Sequence, residues 1–277
     1  MEYMEALTLY VGQGNFAVLR HGTESIAVDT KWNAESEEKI ESLVNRFLAN
    51  RTLIGVVLTG LDADHADPKG LEWLLEHHEP AWVMYPKYFK DTDNAKSVFN
   101  VIRKFERRRE NTSNPLKRVS VRLDQMNKRN LDGLSVEFGL ELFSPHTEDM
   151  DNSNNCSIVL KVEGVGDDGF AYLITGDTEN SRWDRIVELF NRALAADVLA
   201  APHHGSKNAA HPGMVLAVEP DTVLISAGID NQYGHPDPSA VAVYERVAKH
   251  VFTTNIRGGV SWLTICEGIE ILTGEAT

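Results

Sequence analysis

Residues 54–68 read Ile54-Gly55-Val56-Val57-Leu58-Thr59-Gly60-Leu61-Asp62-Ala63-Asp64-His65-Ala66-Asp67-Pro68. The run Ile54–Leu58 is continuously apolar, the pattern of a strand covered on both faces. It empties into a short loop holding two carboxylates and an imidazole. Asp67-Pro68 then reads as an N-cap followed by the first helical residue, and Leu71, Trp73, Leu74 and Leu75 supply the apolar side of the helix. Strand, polar loop and helix in this order is the unit of a layered α/β protein. Open α/β sheets place their sites where such strands end.

The same arrangement recurs downstream. Ala171–Thr175 runs into Gly176-Asp177, Asp197–Ala201 into Pro202-His203-His204-Gly205-Ser206, and Val223–Ala227 leads to Asn231-Gln232-Tyr233-Gly234-His235-Pro236. Taken singly, Asp62, Asp64 and Gly176-Asp177 are ordinary turn residues, and a His-His pair is an ordinary surface or core feature. Asp and His at four successive strand ends are another matter, because carboxylate oxygen and neutral imidazole are the usual ligands of a divalent cation. His21, His77, His78, His211 and His250 have no such setting and read as ordinary histidines.

Outward from this frame, Leu7–Val11, Phe16–Arg20 and Ser25–Val28 are short strands in an antiparallel meander, followed by a helix over Glu35–Leu48. Trp82–Tyr85, Ser135–Phe138, Glu141–Phe143, Ser157–Val162, Val251–Thr254 and Val260–Cys266 are further strands; Ser181–Leu194 and Ser239–His250 are helices. Without repeat, low-complexity tract or linker, residues 1–277 read as one domain with a basic helical insertion at about 91–130. In it, a helix over Ala95–Arg109 carries Arg103, Lys104, Arg107, Arg108 and Arg109, and Lys117, Arg118, Arg122, Lys128 and Arg129 follow. Two readings of this stripe stay open: a solvated helix face, or a phosphate-facing surface on which Arg103 and Arg107 bind substrate.

The 277 residues hold 27 Lys+Arg against 41 Asp+Glu, a formal charge of −14. Such a balance argues against unaided, non-specific wrapping of nucleic acid, though a metal can hold phosphate locally. No apolar run approaches the roughly 20 residues of a bilayer span, and the acidic start Met1–Glu5 lacks the basic and apolar regions of a signal peptide. Cys156 and Cys266 sit in strand-like apolar runs. A reduced, cytoplasmic protein without membrane insertion is the expectation.

The pieces Val11-Gly12-Gln13-Gly14, Asp29, Thr59–His65, Asn154-Asn155-Cys156-Ser157-Ile158-Val159-Leu160, Thr175-Gly176-Asp177, Asp197-Val198-Leu199, His203-His204-Gly205-Ser206, Ile225-Ser226-Ala227-Gly228 and Asn231–Pro236 together resemble the metallo-β-lactamase superfamily. Within it they are most similar to the soluble C-terminal hydrolase domain of ComEC-type DNA-uptake competence proteins. The resemblance covers about residues 7 to 266 and implies a four-layer αββα sandwich of two mixed sheets flanked by helices.

Carried over by position, the family's His-x-His-x-Asp-His pattern falls on Gly60, Asp62, Asp64 and His65. The resemblance implies Asp62, Asp64, His65, Asn154, Asp177 and His204 as metal residues, with His203, Ser206 and Lys207 toward the substrate. Gly60 departs from the pattern because it has no side chain to donate, and Asp67-Pro68 replaces a Gly-Gly. His146, in the variable loop, is a candidate to replace the absent ligand, with an ordinary loop residue the favoured reading. One Zn²⁺ or Mn²⁺ would be held fully by Asp64, His65, Asp177 and His204, and a second only weakly by Asp62, Asp177 and Asn154.

The implied activity is hydrolysis by a metal-bound hydroxide, the cation lowering the pKa of its water from about 15.7 toward 7. Asp64 or Asp177 would orient it, and His235 would meet charge developing on a phosphoryl group, unless it only packs its loop. A phosphodiesterase or nuclease is therefore the expectation, with nucleic acid or another phosphodiester as substrate. The alternative is a member with a degraded site, serving as a structural or regulatory subunit. A small-molecule hydrolase of thioesters, lactones or β-lactams fits poorly, since such members keep the full histidine motif. Stand-alone soluble relatives resemble parts of multi-gene bacterial systems, phage defence among them, so a protein partner encoded nearby is also expected.

Overall fold

Short antiparallel strands open the chain and parallel ones with intervening helices follow, twice over. In the computed structural model, which describes residues 3–88, 90–124, 129–166, 170–265 and 268–272, the first half runs β1 (Glu5–Thr8), β2 (Ala17–His21), β3 (Glu24–Val28), α1 (Glu37–Phe47), β4 (Thr52–Val57), α2 (Pro68–His77), β5 (Trp82–Pro86), α3 (Asp93–Arg109) and β6 (Lys117–Val121). The second half runs β7 (Arg129–Asn130), β8 (Phe138–Ser144), β9 (Val159–Gly164), β10 (Ala171–Ile174), α4 (Asn180–Phe190), β11 (Val198–Ala200), α5 (Pro212–Val218), β12 (Thr222–Ile225), α6 (Pro238–Tyr244) and β13 (His250–Thr253). Last come β14 (Ser261–Ile265) and β15 (Gly268–Leu272), which return to the first sheet. Among the described residues the sheets have the orders β15-β14-β1-β2-β3-β4-β5-β6 and β13-β12-β11-β10-β9-β8-β7. Both are mixed: β3 to β6 pair in parallel in one, β10 to β13 in the other.

Strand alternation divides the core into three. Leu19, Ile26, Val57 and Met84 of the first sheet meet Leu140, Leu160, Tyr172 and Leu224 of the second in a central apolar layer. Their neighbours Val18, Ala27, Val56 and Val83 face the other way, onto Ile40, Val44, Leu71, Leu74, Ile102 and Phe105 of α1 to α3. In the second sheet Leu173, Leu199 and Val223 pack on Trp183, Ile186, Met214, Ala240 and Tyr244 of α4 to α6. The result is the four-layer αββα sandwich expected from the sequence.

Several local readings change. Ser135–Phe138 and Glu141–Phe143 belong to a single strand, β8, because Ser135 is held in a turn: its hydroxyl donates to Glu24 and accepts from Phe138 N at 2.8 Å. The helix expected over Ser239–His250 stops at Tyr244, and His250 already pairs in β13. Helix α5 and strands β6 and β7 were not foreseen, being short and weakly patterned. Cys156 lies in a turn before β9, buried, its thiol donating to Asp149 O. Cys266 and Lys128 lie outside the described residues.

The basic stripe is a docked helix face rather than a row of bare cations. Lys104 and Arg108 of α3 pair with Glu72 and Glu76 of α2 at 2.5 Å, and Arg118 pairs with Glu106 at 2.5 Å. Arg109 is buried and donates to the carbonyls of Pro80 (2.9 Å) and Asn114 (2.8 Å). Exposed pairs of this kind each contribute about 0–1 kcal/mol, so their main effect here is to cancel positive potential.

Helix α2 approaches the end of β3 closely enough to forbid a side chain at Gly70: a Cβ there would lie 2.1 Å from Thr30 O. Gly70→Val is expected to destabilise the fold by about 1–3 kcal/mol through overpacking, read as a lower urea midpoint at unchanged slope.

Candidate metal centre

Each polar residue of the centre follows the C-terminal end of a parallel strand. Asp29 follows β3, Thr59 to His65 follow β4, Asp177 follows β10, His203 and His204 follow β11, and the loop from Ser226 to His235 follows β12. Asp29 is buried and held at a positive φ of 57°. Its carboxylate accepts from Thr59 N at 2.7 Å and from the Thr59 hydroxyl, and it lies 2.9 Å from His65 Nδ1. With Nδ1 so engaged, His65 turns Nε2 toward the cleft. His204 is oriented in the same manner, its Nδ1 donating to Ser226 O at 2.9 Å. His203, His204 and Gly205 all have positive φ (50°, 55°, 77°), a tight left-handed turn that sets both imidazoles at the strand end. Gly176 is required where Asp177 is positioned: its φ is +53° and a Cβ would lie 2.7 Å from Ser157 Cβ. Ser157 Oγ then accepts from Asp177 N at 3.0 Å.

Asp64, His65, Asp177 and His204 each present one ligand atom, and all four atoms lie within 4.8 Å of one another. His65 Nε2 is 2.9 Å from Asp177 Oδ1; His204 Nε2 is 3.8 Å from the same oxygen and 3.5 Å from Asp64 Oδ2. Ligands bound tetrahedrally at about 2.0–2.2 Å are spaced by about 3.4 Å, so these separations bracket what one ion needs. His65 Nε2, His204 Nε2 and Asp177 Oδ1 are buried and find no hydrogen-bond partner outside the cluster itself. Buried polar atoms left so would cost about 1–3 kcal/mol each, and a shared cation satisfies all three. The donor set fits a divalent metal.

Electrostatics bind the four together. Burial pushes the Asp177 carboxyl up, yet the charges of His65 and His204 outweigh it and hold it at about 2. Burial likewise opposes ionisation of Asp64, but its contact with His204 and the charges of both imidazoles keep it below the usual carboxylate range. For His65, burial favours the neutral ring, and Asp177 and Asp29 overcome it, raising the pKa well above its ordinary value. His204 is raised too, against burial, by Asp177 and Asp64. Protons therefore compete with any cation for the same ring atoms.

Asp64, Asp177 and His204, with His65 buried behind them, face an open cleft of about 510 Å³ walled also by Gln13, Lys31, Asp62, Asn154, His203, Tyr233 and His235. That size suits a substrate rather than a lone water. His203 Nε2 stands 4.0 Å from Asp177 Oδ2, and its ring centroid is 5.9 Å from that of His235, on which Tyr233 stacks. Burial, then the charges of His204 and His203, hold His235 below its ordinary pKa.

The remaining expected residues are placed differently. Asp62 reaches the cleft but donates no atom to the four-residue cluster; it is ion-paired with Lys90. Asn154 lines the cleft while its amide nitrogen donates to Glu179 at 3.0 Å. Ser206 is buried beneath the turn and Lys207 is exposed, and neither lines the cleft. Arg103 and Arg107 line a separate surface cleft with Glu106 and Glu110. His146 is not a substitute ligand: it is buried against Phe190 and bonded to Arg182, which pairs with Asp149 at 3.0 Å. Residues not foreseen in the site are Thr59, Ser157 and Ser226, which orient ligands, and Tyr88 and Lys90. The last two follow the end of β5, so the rule that located the other loops would have found them.

The solved structures with this architecture decide the fold. The metallo-β-lactamase fold protein YhfI from Bacillus subtilis superposes with a TM-score of 0.52 and 13% identity, covering 94% of this chain and 99% of its own. Igni18, a metallo hydrolase from the archaeon Ignicoccus hospitalis, gives 0.52 and 14%, covering 94% and 98%. The chain has the metallo-β-lactamase fold. Among curated proteins this metallo-β-lactamase-fold chain is similar to ComE operon protein 3 of Bacillus subtilis (strain 168), 27% identical over 213 residues, and to competence protein ComA of Neisseria gonorrhoeae, 28% identical over 134. Those matches take in 76% and 47% of the chain but only 25% and 18% of the relatives, so the chain spans a fraction of their length. No family model matches. No helix among the described residues is long and apolar enough to cross a membrane.

Two outcomes follow from this geometry. Asp29→Ala, which touches no ligand atom facing the cleft, is expected to lower affinity for Mn²⁺ or Zn²⁺ by about 10–100-fold, measured by competition with a chromogenic chelator. Because the imidazoles hold protons above their ordinary pKa, affinity is expected to rise from about pH 6 to about pH 8 with proton release on binding. Calorimetry in buffers of different ionisation enthalpy reads that release; a pH-independent, proton-neutral isotherm would contradict it.

Proposed function

We propose that the chain is a metal-dependent hydrolase that cleaves phosphodiester bonds, with nucleic acid as the substrate class. The observation that carries this reading is the cluster of Asp64, His65, Asp177 and His204 beside an open cleft, with three buried ligand atoms that find no partner outside the cluster. Zn²⁺ and Mn²⁺ both suit two imidazole nitrogens and two carboxylate oxygens. When bound, such an ion supplies Lewis acidity and makes water ionisable near neutral pH.

The chain's own groups supply the rest. Asp177 and Asp64, held as carboxylates, accept a proton-bearing donor over the cluster and fix its orientation. His235, kept a neutral imidazole at neutral pH, donates one N–H to a phosphoryl oxygen as negative charge grows there. His203, beside both Asp177 and His235, positions these two groups relative to each other. Similarity to ComE operon protein 3 and competence protein ComA, in line with the resemblance to DNA-uptake proteins, favours a polynucleotide over a small ester. A reducing, cytoplasmic setting and a protein partner belong to the same reading.

Purified protein with Mn²⁺ or Zn²⁺ is expected to hydrolyse bis-p-nitrophenyl phosphate and single- or double-stranded DNA or RNA, and to lose this activity to chelator. Asp177→Ala and His204→Ala should reduce the rate by about 10²-fold or more, and His235→Ala similarly at unchanged metal content. Activity undiminished in the first two variants would belong to a contaminant. No hydrolysis with any metal would leave the chain a non-catalytic subunit.

A further inference from the structure

The cleft is well furnished for one cation and arranged against a second. Gly60 contributes no ligand, yet neither conformation nor space dictates glycine there: a Cβ would meet only His65 Cγ, at an ordinary 3.9 Å. Asp62, the carboxylate nearest in sequence, is already taken. Lys90 Nζ donates to its Oδ2, and the Lys90 side chain is only 14% exposed. The segment that brings Lys90 in is fastened a second time, by Leu61 N donating to the Tyr88 hydroxyl at 3.2 Å. Asp62 lines the same cleft as Asp64 and Asp177, so the ammonium seated on it stands at the wall beside the ligand cluster.

We propose that the centre is mononuclear and that the Lys90 ammonium, seated on Asp62, replaces a second cation and presents a fixed positive charge to an anionic oxygen of the substrate. This rests on the hydrolase reading for its substrate but not for its metal count. The charges agree with it. Asp62, Asp64 and Asp177 are the carboxylates in the cleft wall and Lys31 is its lysine. Lys31 pairs with Asp67 outside that wall, so one divalent ion and the Lys90 ammonium seated on Asp62 balance the three carboxylates, and a second divalent ion would leave an excess of two positive charges. In two-metal hydrolases the second ion helps to clamp the oxygens of the displacement. An ammonium can clamp a phosphoryl oxygen as a point charge, though it cannot ionise water. The division of labour is then fixed: the four-residue cluster prepares the nucleophile, and Lys90 holds the anion.

The test reads metal content and anion binding without turnover. After loading with excess Mn²⁺ or Zn²⁺ and desalting, native mass spectrometry is expected to give about one equivalent for the wild-type chain and for Lys90→Met. The double variant Gly60→His, Lys90→Ala should approach two, since a ligand returns as the competing ammonium leaves. Inorganic phosphate, followed by calorimetry on metal-loaded protein, should bind about tenfold more weakly to Lys90→Met, with Lys90→Arg retaining most of the affinity. Should Lys90→Met not fold, Lys90→Gln, which keeps a polar side chain against Asp62 without the positive charge, is expected to show the same loss. Two tightly held equivalents in the wild-type chain, or phosphate affinity indifferent to residue 90 in the folded variants, would overturn the proposal. One equivalent with Lys90-dependent phosphate binding but no hydrolysis would sink the functional reading and leave this one standing.

Discussion

His65 and Asp177 approach to 2.9 Å across the seam between two sheets, one residue supplied by each half of the chain. Asp64 repeats the arrangement with His204 at 3.5 Å. The rest of the centre depends on that meeting. Neither half holds a complete ligand set, and an isolated buried carboxylate or imidazolium would be strongly disfavoured by desolvation. Joined, they share charge, and a cation between them would tie the packing of the sandwich to the integrity of the site. Metal binding and folding are linked wherever ligands converge only in the folded chain. A cation held there would join residues of the two halves whose sheets pack Leu19 and Ile26 against Leu160 and Tyr172 in the central apolar layer.

Backbone strain gathers at the same place. Asp29, His203 and His204 are non-glycine residues with φ between 50° and 57°, a region that costs of order 1 kcal/mol or more for each. Each is held there by polar contacts that the fold supplies: Thr59 and His65 on Asp29, the Ser226 carbonyl on His204, and the Gly176 carbonyl accepting from His203 N at 3.0 Å. The distortion has a geometric use. A strand that ended in ordinary turn conformation after β11 would send successive side chains to opposite sides, whereas the left-handed turn directs both imidazoles into the cleft. The structure thus accepts local strain to concentrate ligands.

How much of this was legible in the sequence differs by feature. Buried parallel strands announce themselves as apolar runs, so β4, β10, β11 and β12 and the polar loops behind them could be read directly, and with them Asp64, His65, Asp177 and His204. Elements that lean on their neighbours rather than on their own pattern could not. Strand β6 has a burial pattern exposed at three of its five positions, and α5 is seven residues long. Partners of ligands were invisible for a related reason. Thr59, Ser157 and Ser226 are common residue types whose role comes from where the backbone puts them. Lys90 follows a strand end like the other loops, yet it stands just before a run rich in Lys and Arg, and was not told apart there from the cations that meet Glu72 and Glu76.

That separation bears on how an acidic protein can handle an anion. A formal charge of −14 repels polyanions at a distance, and the basic residues of α3 and β6 do little to reverse this, since Lys104, Arg108 and Arg118 are paired with Glu72, Glu76 and Glu106. Screening over about 8–10 Å at physiological ionic strength confines what remains to the immediate surface. Attraction must then come from charges at the cleft, where partial burial weakens screening: the cation that the four-residue cluster can hold, and Lys90 where it meets Asp62 of the cleft wall. Such an arrangement gives weak encounter and strong local capture, so selectivity would reside in whether a phosphoryl group can enter and be gripped rather than in how much negative charge its carrier bears. The acidity of the surface is on this view compatible with phosphodiester chemistry, and it disfavours long stretches of polyanion lying along the protein away from the cleft.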